Sequence, residues 1–249
     1  MTTLLSVRGL TVHFGGVVAL DHADLDVDAG RLVGLIGPNG AGKTTFIDAV
    51  CGFVPSSGTV ALGGEPVDDL APHERARRGI ARTFQSLELF EDLTVRENLL
   101  VAAERGEWWT IGRDLLRPAE PPDVAATVDQ ALLGAGLLAQ SDRLPAELTS
   151  SERGLVALAR ALAGHPRLLL FDEPAAGLDD AARTSLARHL RALAGEGLGI
   201  VLVDHDMTLV LGVCDRVTVL DVGRVIAEGP PAEVRAHPAV VEAYLGTTA

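Results

Sequence analysis

Apolar positions along this chain fall into two periodicities. RLVGLIG, RLLLFDEP and GIVLVDHD are short continuous apolar runs, each ending in glycine or acidic residues. Runs of that kind predict strands buried on both faces. The N-terminal stretches LLSVRGL, TVHF and VVALDHADLDV predict short strands, the last alternating like a half-exposed strand. After RLVGLIG comes GPNGAGKTT and then a helical FIDAVCGF, which reads as strand, glycine-rich loop, helix. GTVALGG predicts a short strand, HERARRG a short surface helix and GIARTF another strand.

From about Ser86 to Pro166 the period turns helical, in VRENLLVAAE, DVAATVDQALLGAGL and LTSSERGLVALARAL. RPAEPPD interrupts it as the best linker candidate. Beyond, ARTSLARHLRALAGEG predicts a helix ending in glycine, and RVTVLDVGRVIAEG a hairpin turning at Val222–Gly223. Buried strands alternating with helices imply a parallel sheet covered on both faces. The expected organisation is one domain over 1–249. Residues 1–85 and 166–249 form an α/β core with an N-terminal β subdomain, and 86–165 a helical insert.

Composition narrows this picture without redirecting it. Of 249 residues, 47% are hydrophobic, enough for a sizeable core. The net charge of −13 argues against a general nucleic-acid surface, whose footprint is basic. Cys51 and Cys214 match no metal spacing and are expected as buried apolar residues in a reducing compartment. MTTLLSVRGL lacks the basic-then-apolar order of a signal peptide. No run of about 18 uninterrupted apolar residues is present, so a membrane role would come through a partner.

The chemistry is concentrated in a few stretches. GPNGAGKT, Gly37 to Thr44, fits the phosphate-loop pattern G-x-x-x-x-G-K-[ST]. Glycines let successive backbone N–H groups close on phosphate oxygens, and the following helix N-terminus adds its positive end. Lys43 reaches the outer phosphates, and the Thr44 hydroxyl suits Mg²⁺. Asp172 and Glu173 stand at the end of LLLFDEP, where open α/β sheets bind ligands. Asp172 can hold Mg²⁺, directly or through water, and Glu173 can polarise an attacking water. His205 follows IVLVD. From the residues alone, it divides evenly between a structural role and a contact to a terminal phosphate. Gln85 by itself is an unremarkable loop amide.

Together these pieces resemble the ABC ATPases, the nucleotide-binding subunits of ATP-driven transporters, over nearly the whole chain. FGGVVALD, LIGPNGAGKTT, GIARTFQ, LFEDLTVRENLL, DEPAAGLD, VDHDM and VVEAYLG carry a narrower resemblance to the subunits of bacterial branched-chain amino-acid importers. The resemblance implies a P-loop NTPase core and ATP bound with Mg²⁺ by Gly37, Pro38, Asn39, Gly40, Ala41, Gly42, Lys43, Thr44 and Thr45. It implies that Phe14 stacks on adenine, although a core aromatic on a strand is the other reading. It implies that Gln85 senses Mg²⁺ and the γ-phosphate, that His205 contacts that phosphate, and that Asp179 lies in a loop crossing to a second subunit. The implied partners are transmembrane permease subunits, a second ABC ATPase subunit and, through the permease, a solute-binding protein. The implied place is peripheral, on the cytoplasmic face of the membrane.

One stretch departs from the family. Where the signature reads Leu-Ser-Gly-Gly or Leu-Ser-Tyr-Gly, this chain has Leu148, Thr149, Ser150 and Ser151, followed by Glu152. Thr149 with Glu152 forms a capping box, as the family motif also would. At Ser151 the added Cβ is expected to resist positive φ and close backbone approach to the opposing nucleotide. Three rival functions stand beside the importer subunit: a soluble repair or translation ATPase, a lipid or lipopolysaccharide exporter subunit, and a catalytically weak regulatory subunit. Trp108 and Trp109 form either a permease-facing patch or a local staple.

Overall fold

The computed structural model describes residues 2–83, 89–103, 122–175, 178–204 and 206–245. Gln85, Trp108, Trp109 and His205 lie outside them, as does most of the Pro-rich RPAEPPD break. Contacts divide the chain into two compact units, Met1–Gln85 with Arg167–Ala249, and Ser86–Pro166.

The first unit holds two sheets. One is antiparallel, with strands in the order β2-β1-β4-β5: β1 Thr3–Phe14, β2 Val17–Asp28, β4 Ser57–Leu62 and β5 Glu65–Pro66. The other has the order β10-β9-β3-β8-β7-β6, from β3 Leu32–Ile36, β6 Ile80–Thr83, β7 Leu168–Asp172, β8 Gly199–Val203, β9 Arg216–Asp221 and β10 Arg224–Gly229. It is parallel except for the edge strand β10. Every residue of β3, β7 and β8 is buried, as continuous apolar runs require. Helix α1, Lys43–Cys51, lends Phe46 and Ile47 to one continuous core with Leu5 and Leu20 of the antiparallel sheet and Leu35, Leu170 and Val201 of the parallel one.

Two local readings change. LLSVRGL and TVHF are one strand rather than two. The pairing of β1 with β2 shifts register between Val7 and Leu10, and Gly9 sits at φ 59. A bulge absorbs the glycine and the strand continues. HERARRG, expected on the surface, forms α2 over Pro72–Arg77 and buries one of its arginines. The Arg75 guanidinium donates to the carbonyls of Ala49, Val50, Leu70 and Asp68 at 2.7–3.0 Å. Two of those carbonyls close the C-terminal turn of α1, where a cation meets both unsatisfied acceptors and the negative end of the helix dipole.

The second unit is helical: α3 Val95–Ala103, α4 Pro122–Gly134 and α5 Ser150–Ala163. They close on a separate core that includes Leu99, Leu132 and Val156. Asn98, fully buried, accepts from Phe90 N–H and donates to the carbonyls of Phe90, Leu93 and Thr94. The helices α6 Asp180–Gly195, α7 Met207–Val213, α8 Pro231–Ala236 and α9 Pro238–Leu245 belong to the first unit. Cys51 and Cys214 are buried free thiols, each pushed up to about 12 by burial, so they behave as apolar residues. Among the described residues no helix is long and apolar enough to cross a membrane.

The buried arginine makes a direct prediction. Arg75→Met keeps volume but removes the donor that the carbonyls of Val50, Leu70 and Asp68 share with Ala49, and should destabilise folding by about 2–4 kcal/mol. Denaturant unfolding with an unchanged midpoint would remove the clamp from the account.

Candidate functional site

The parallel strand β3 ends at Ile36 and the chain turns immediately into the phosphate loop. Gly42, at φ 103, is the residue that starts α1, and Phe46 N–H bonds back to its carbonyl at 2.8 Å. A Cβ on Gly42 would stand 2.7 Å from the Ala19 carbonyl, so glycine is required both by conformation and by space. Lys43 is only 7% exposed, and its ammonium donates to the carbonyls of Gly37 at 2.8 Å and Pro38 at 3.0 Å. Burial lowers its pKa, while the negative charges of Glu173 and Asp172 act the other way. Both bonds are to neutral oxygens. A phosphate oxygen is the stronger acceptor, so an arriving polyphosphate can take the ammonium from the loop.

The β9–β10 hairpin, which the sequence places at Val222–Gly223, is part of this site. Gly223 N–H donates to the Ala41 carbonyl at 2.9 Å, and the Gly223 carbonyl accepts from Asp21 N–H at 2.9 Å. The turn therefore braces the phosphate loop against β2. A cavity of about 380 Å³ opens here, lined by Val17 to Ala19, Asn39 to Thr45, Glu173, Val222 and Gly223. That volume suits a small ligand.

The parallel neighbours β7 and β8 bring the acids alongside. Asp172, 3% exposed, ends β7. Its Oδ2 accepts from the Arg82 guanidinium at 3.3 Å, whereas its Oδ1 is buried with no hydrogen-bond partner. Burial raises the Asp172 pKa, and the Arg82 charge opposes that rise. Glu173 follows at φ 47, unusual for a residue with a Cβ, and its N–H is held by the Val203 carbonyl at 2.7 Å. Such strain gathers at functional sites and persists only where neighbours enforce it. Asp204, fully buried, accepts from Ala175 N–H at 3.1 Å and Asp206 N–H at 2.9 Å. It thus ties the turn after β7 to both sides of position 205. Arg183 pairs with Asp180 at 2.7 Å and Asp206 at 2.8 Å and donates to the Leu178 carbonyl at 3.2 Å. Asp179 caps α6 by accepting from Ala182 N–H at 2.8 Å.

Of the residues singled out in the sequence, Asn39 to Thr45 and Glu173 share the cavity, with Gly37, Pro38 and Asp172 behind it or beside it. Phe14 ends β1, 51% exposed, so the core-aromatic alternative does not hold. The sequence reading missed the wall that Val17 to Ala19 and the Val222–Gly223 turn supply, and it missed Arg82 and Asp204. No local pattern marks them, because their roles arise from pairing between distant strands.

The departing signature sits in the helical unit. Thr149 is the N-cap of α5: its Oγ1 accepts from Glu152 N–H at 3.2 Å, and Glu152 accepts from Thr149 N–H at 2.8 Å. These bonds hold the Glu152 carboxyl below the usual range. Ser150 and Ser151 lie in the first turn of α5, and neither takes a positive φ. The expected conformational resistance at Ser151 is therefore absent, because a helical backbone accepts a Cβ freely. Only the space that the side chain occupies distinguishes it from glycine.

The brace gives a prediction outside the phosphate loop itself. Gly223 has φ 77, and an added Cβ would stand 2.7 Å from the Ala19 carbonyl. Gly223→Ala should push the turn away from Ala41 and weaken nucleotide binding about tenfold or more, the effect of roughly 1.4 kcal/mol. Titration with a fluorescent nucleotide checks it, and unaltered affinity would separate the hairpin from the site.

Comparison with known proteins meets this geometry. The family described as "ABC transporter" matches residues 20–176, and that described as "Branched-chain amino acid ATP-binding cassette transporter" matches residues 224–249. The chain is 38% identical over 249 residues to the high-affinity branched-chain amino acid transport ATP-binding protein LivG of Salmonella typhimurium, covering 98% of each. Its fold is similar to the ADP conformation of an ATP-binding cassette of an ABC transporter, with TM-score 0.88 and 29% identity, over 99% of this chain and 100% of that one. It is also similar to a bacterial ABC transporter cassette solved as a dimer, with TM-score 0.76 and 25% identity, over 92% of this chain and 99% of that one. A phosphate loop after β3, paired acids at the end of β7 and family matches over residues 20–176 and 224–249 converge: the chain belongs to the ABC transporter family, as an ATP-binding subunit that hydrolyses ATP.

Proposed function

We propose that this subunit powers uptake of branched-chain or other amino acids through transmembrane permease subunits, from the cytoplasmic face of the membrane. The observation that carries the reading is the match of residues 224–249 to the branched-chain family, joined to the full-length likeness to LivG. A solute-binding protein would deliver the amino acid to the permease, and this chain would supply only the energy.

In this reading the loop Gly37–Thr45 and the N-terminus of α1 bind the phosphates, and Lys43 leaves its carbonyl partners for the outer phosphate oxygens. Phe14, exposed at the end of β1, stacks on adenine. Glu173 polarises the attacking water, and His205 contacts the γ-phosphate. Thr44, Gln85 and Asp172 would hold Mg²⁺. The buried, unpartnered Oδ1 of Asp172 fits a hard cation or a water on it. The ion supplies neutralisation of the phosphate charge.

Two subunits sandwich the nucleotides, as the cassette solved as a dimer supports. Thr149, Ser150 and Ser151 then act on ATP held by the opposite subunit, and Asp179 stands in the crossing segment. Capping is intact and φ is ordinary, so Ser151 keeps its N–H donor and differs from glycine only in bulk. With a different second subunit the two sites are unequal, and hydrolysis runs mainly at this chain's own phosphate loop.

In the reconstituted transporter, Glu173→Gln should keep ATP binding and lower turnover by about 10²-fold or more. The corresponding change in the second subunit should lower it less. Turnover that survives Glu173→Gln but not the partner's change would reverse the asymmetry. If the transporter uses two copies of this chain, Ser150→Gly with Ser151→Gly should raise turnover, because both sites then regain an open approach. No increase in that case would mean the serine side chains leave the approach unobstructed.

A further inference from the structure

Arg82 occupies a position that the chemistry assigned so far does not use. It lies on β6, beside β7 in parallel register, and its side chain is 9% exposed. One guanidinium nitrogen pairs with Asp48 on α1 and another with Asp172 Oδ2 at 3.3 Å. The cation also lies over the Phe53 ring, 6.0 Å from its centroid. One planar group therefore joins the phosphate-loop helix, strand β6 and the acid at the end of β7.

The Asp172 side chain is 1% exposed, so its orientation is set by the few groups built around it. Holding a buried carboxyl in one orientation needs a rigid partner with an anchor of its own, and Asp48 anchors Arg82. Arginine suits the task, since its fork bonds two acceptors at fixed angles and does not lose its proton in proteins. The fork is also selective in what it occupies. It takes Oδ2 and leaves Oδ1, the same atom that has no other hydrogen-bond partner.

We infer that Arg82 is the positioning residue of the metal-side acid, anchored on Asp48 so that it holds Asp172 by Oδ2 and leaves Oδ1 for the Mg²⁺ of a bound nucleotide. The inference rests on the assignment of Asp172 to Mg²⁺ made above. Arg82 itself touches neither nucleotide nor metal in this scheme. Its loss acts on the metal dependence of binding rather than on the phosphate loop.

The test is binding of a fluorescent ATP analogue to the full chain, without metal and across a Mg²⁺ titration, with thermal unfolding in parallel. In Arg82→Met, the Mg²⁺ concentration giving half of the metal-dependent change should rise about 10–100-fold, the usual effect of removing a partner that orients a metal ligand. Affinity without metal should stay within about threefold of wild type, a small change on this scale. Arg82→Lys, which keeps the charge but not the fork, should fall between the two, and it carries the test if Arg82→Met does not fold. An unshifted Mg²⁺ half-point in the folded variants would overturn the inference. So would an equal loss of affinity with and without metal, which would make Arg82 a general scaffold residue. If nucleotide binding to the wild-type chain ignored Mg²⁺, or if Asp172→Asn left the titration unchanged, the assignment of Asp172 to the metal would fall first.

Discussion

Parallel pairing of β3 with β8, and of β8 with β7, is the constraint on which the site depends. The pairing aligns strand ends, so the phosphate loop after β3, the acids after β7 and the segment after β8 emerge at the same edge of the sheet. The strands are buried on both faces, so a one-residue slip would break the packing of helices on either side. That register fixes how far Glu173 stands from the loop that binds phosphate. The antiparallel sheet and the β9–β10 turn then close the cavity from the other side, through hydrogen bonds from Gly223 to Ala41 and from Asp21 to Gly223.

Around this frame, the unit handles buried charge by giving each group a specific partner. Arg75 satisfies the carbonyls at the end of α1. Asp204 accepts two backbone N–H groups and so joins the turns after β7 and β8. Arg82 balances Asp172. Neutral carbonyls satisfy the buried arginine, and backbone N–H groups are among the partners of the buried acid. Asp172 retains an unpartnered oxygen, and Lys43 rests on neutral carbonyls that a phosphate can replace. These two groups are left with binding capacity, which the proposed function assigns to Mg²⁺ and to phosphate.

The departing signature illustrates how a motif can be read in two layers. Its capping chemistry concerns α5 alone and is complete, since Thr149 and Glu152 satisfy each other's groups. Its phosphate chemistry, in the proposed function, belongs to an assembled pair. The helical φ at Ser150 and Ser151 removes backbone strain as a reason for glycine there and leaves side-chain bulk as the remaining difference.

The sequence by itself determined the strand–loop–helix of the phosphate site, the strand LLLFDEP that ends in two acids, the helices within VRENLLVAAE, DVAATVDQALLGAGL and LTSSERGLVALARAL, and the turn at Val222–Gly223. These are local patterns, read from apolar period, glycine placement and a fixed motif spacing. Other features lay beyond it. LLSVRGL and TVHF are one strand, because a bulge at Gly9 carries the pairing with β2 past an apparent break. Arg75 is buried, because acceptors more than twenty residues earlier in the chain meet it. Phe14 is exposed rather than in the core. The wall that Val17 to Ala19 and Val222 build, and the clamp of Arg82 on Asp48 and Asp172, come from residues far apart in the chain. Only tertiary structure decided these, because burial and hydrogen-bond partnership are set by which strands pair, and that pairing leaves no period in the sequence of either partner.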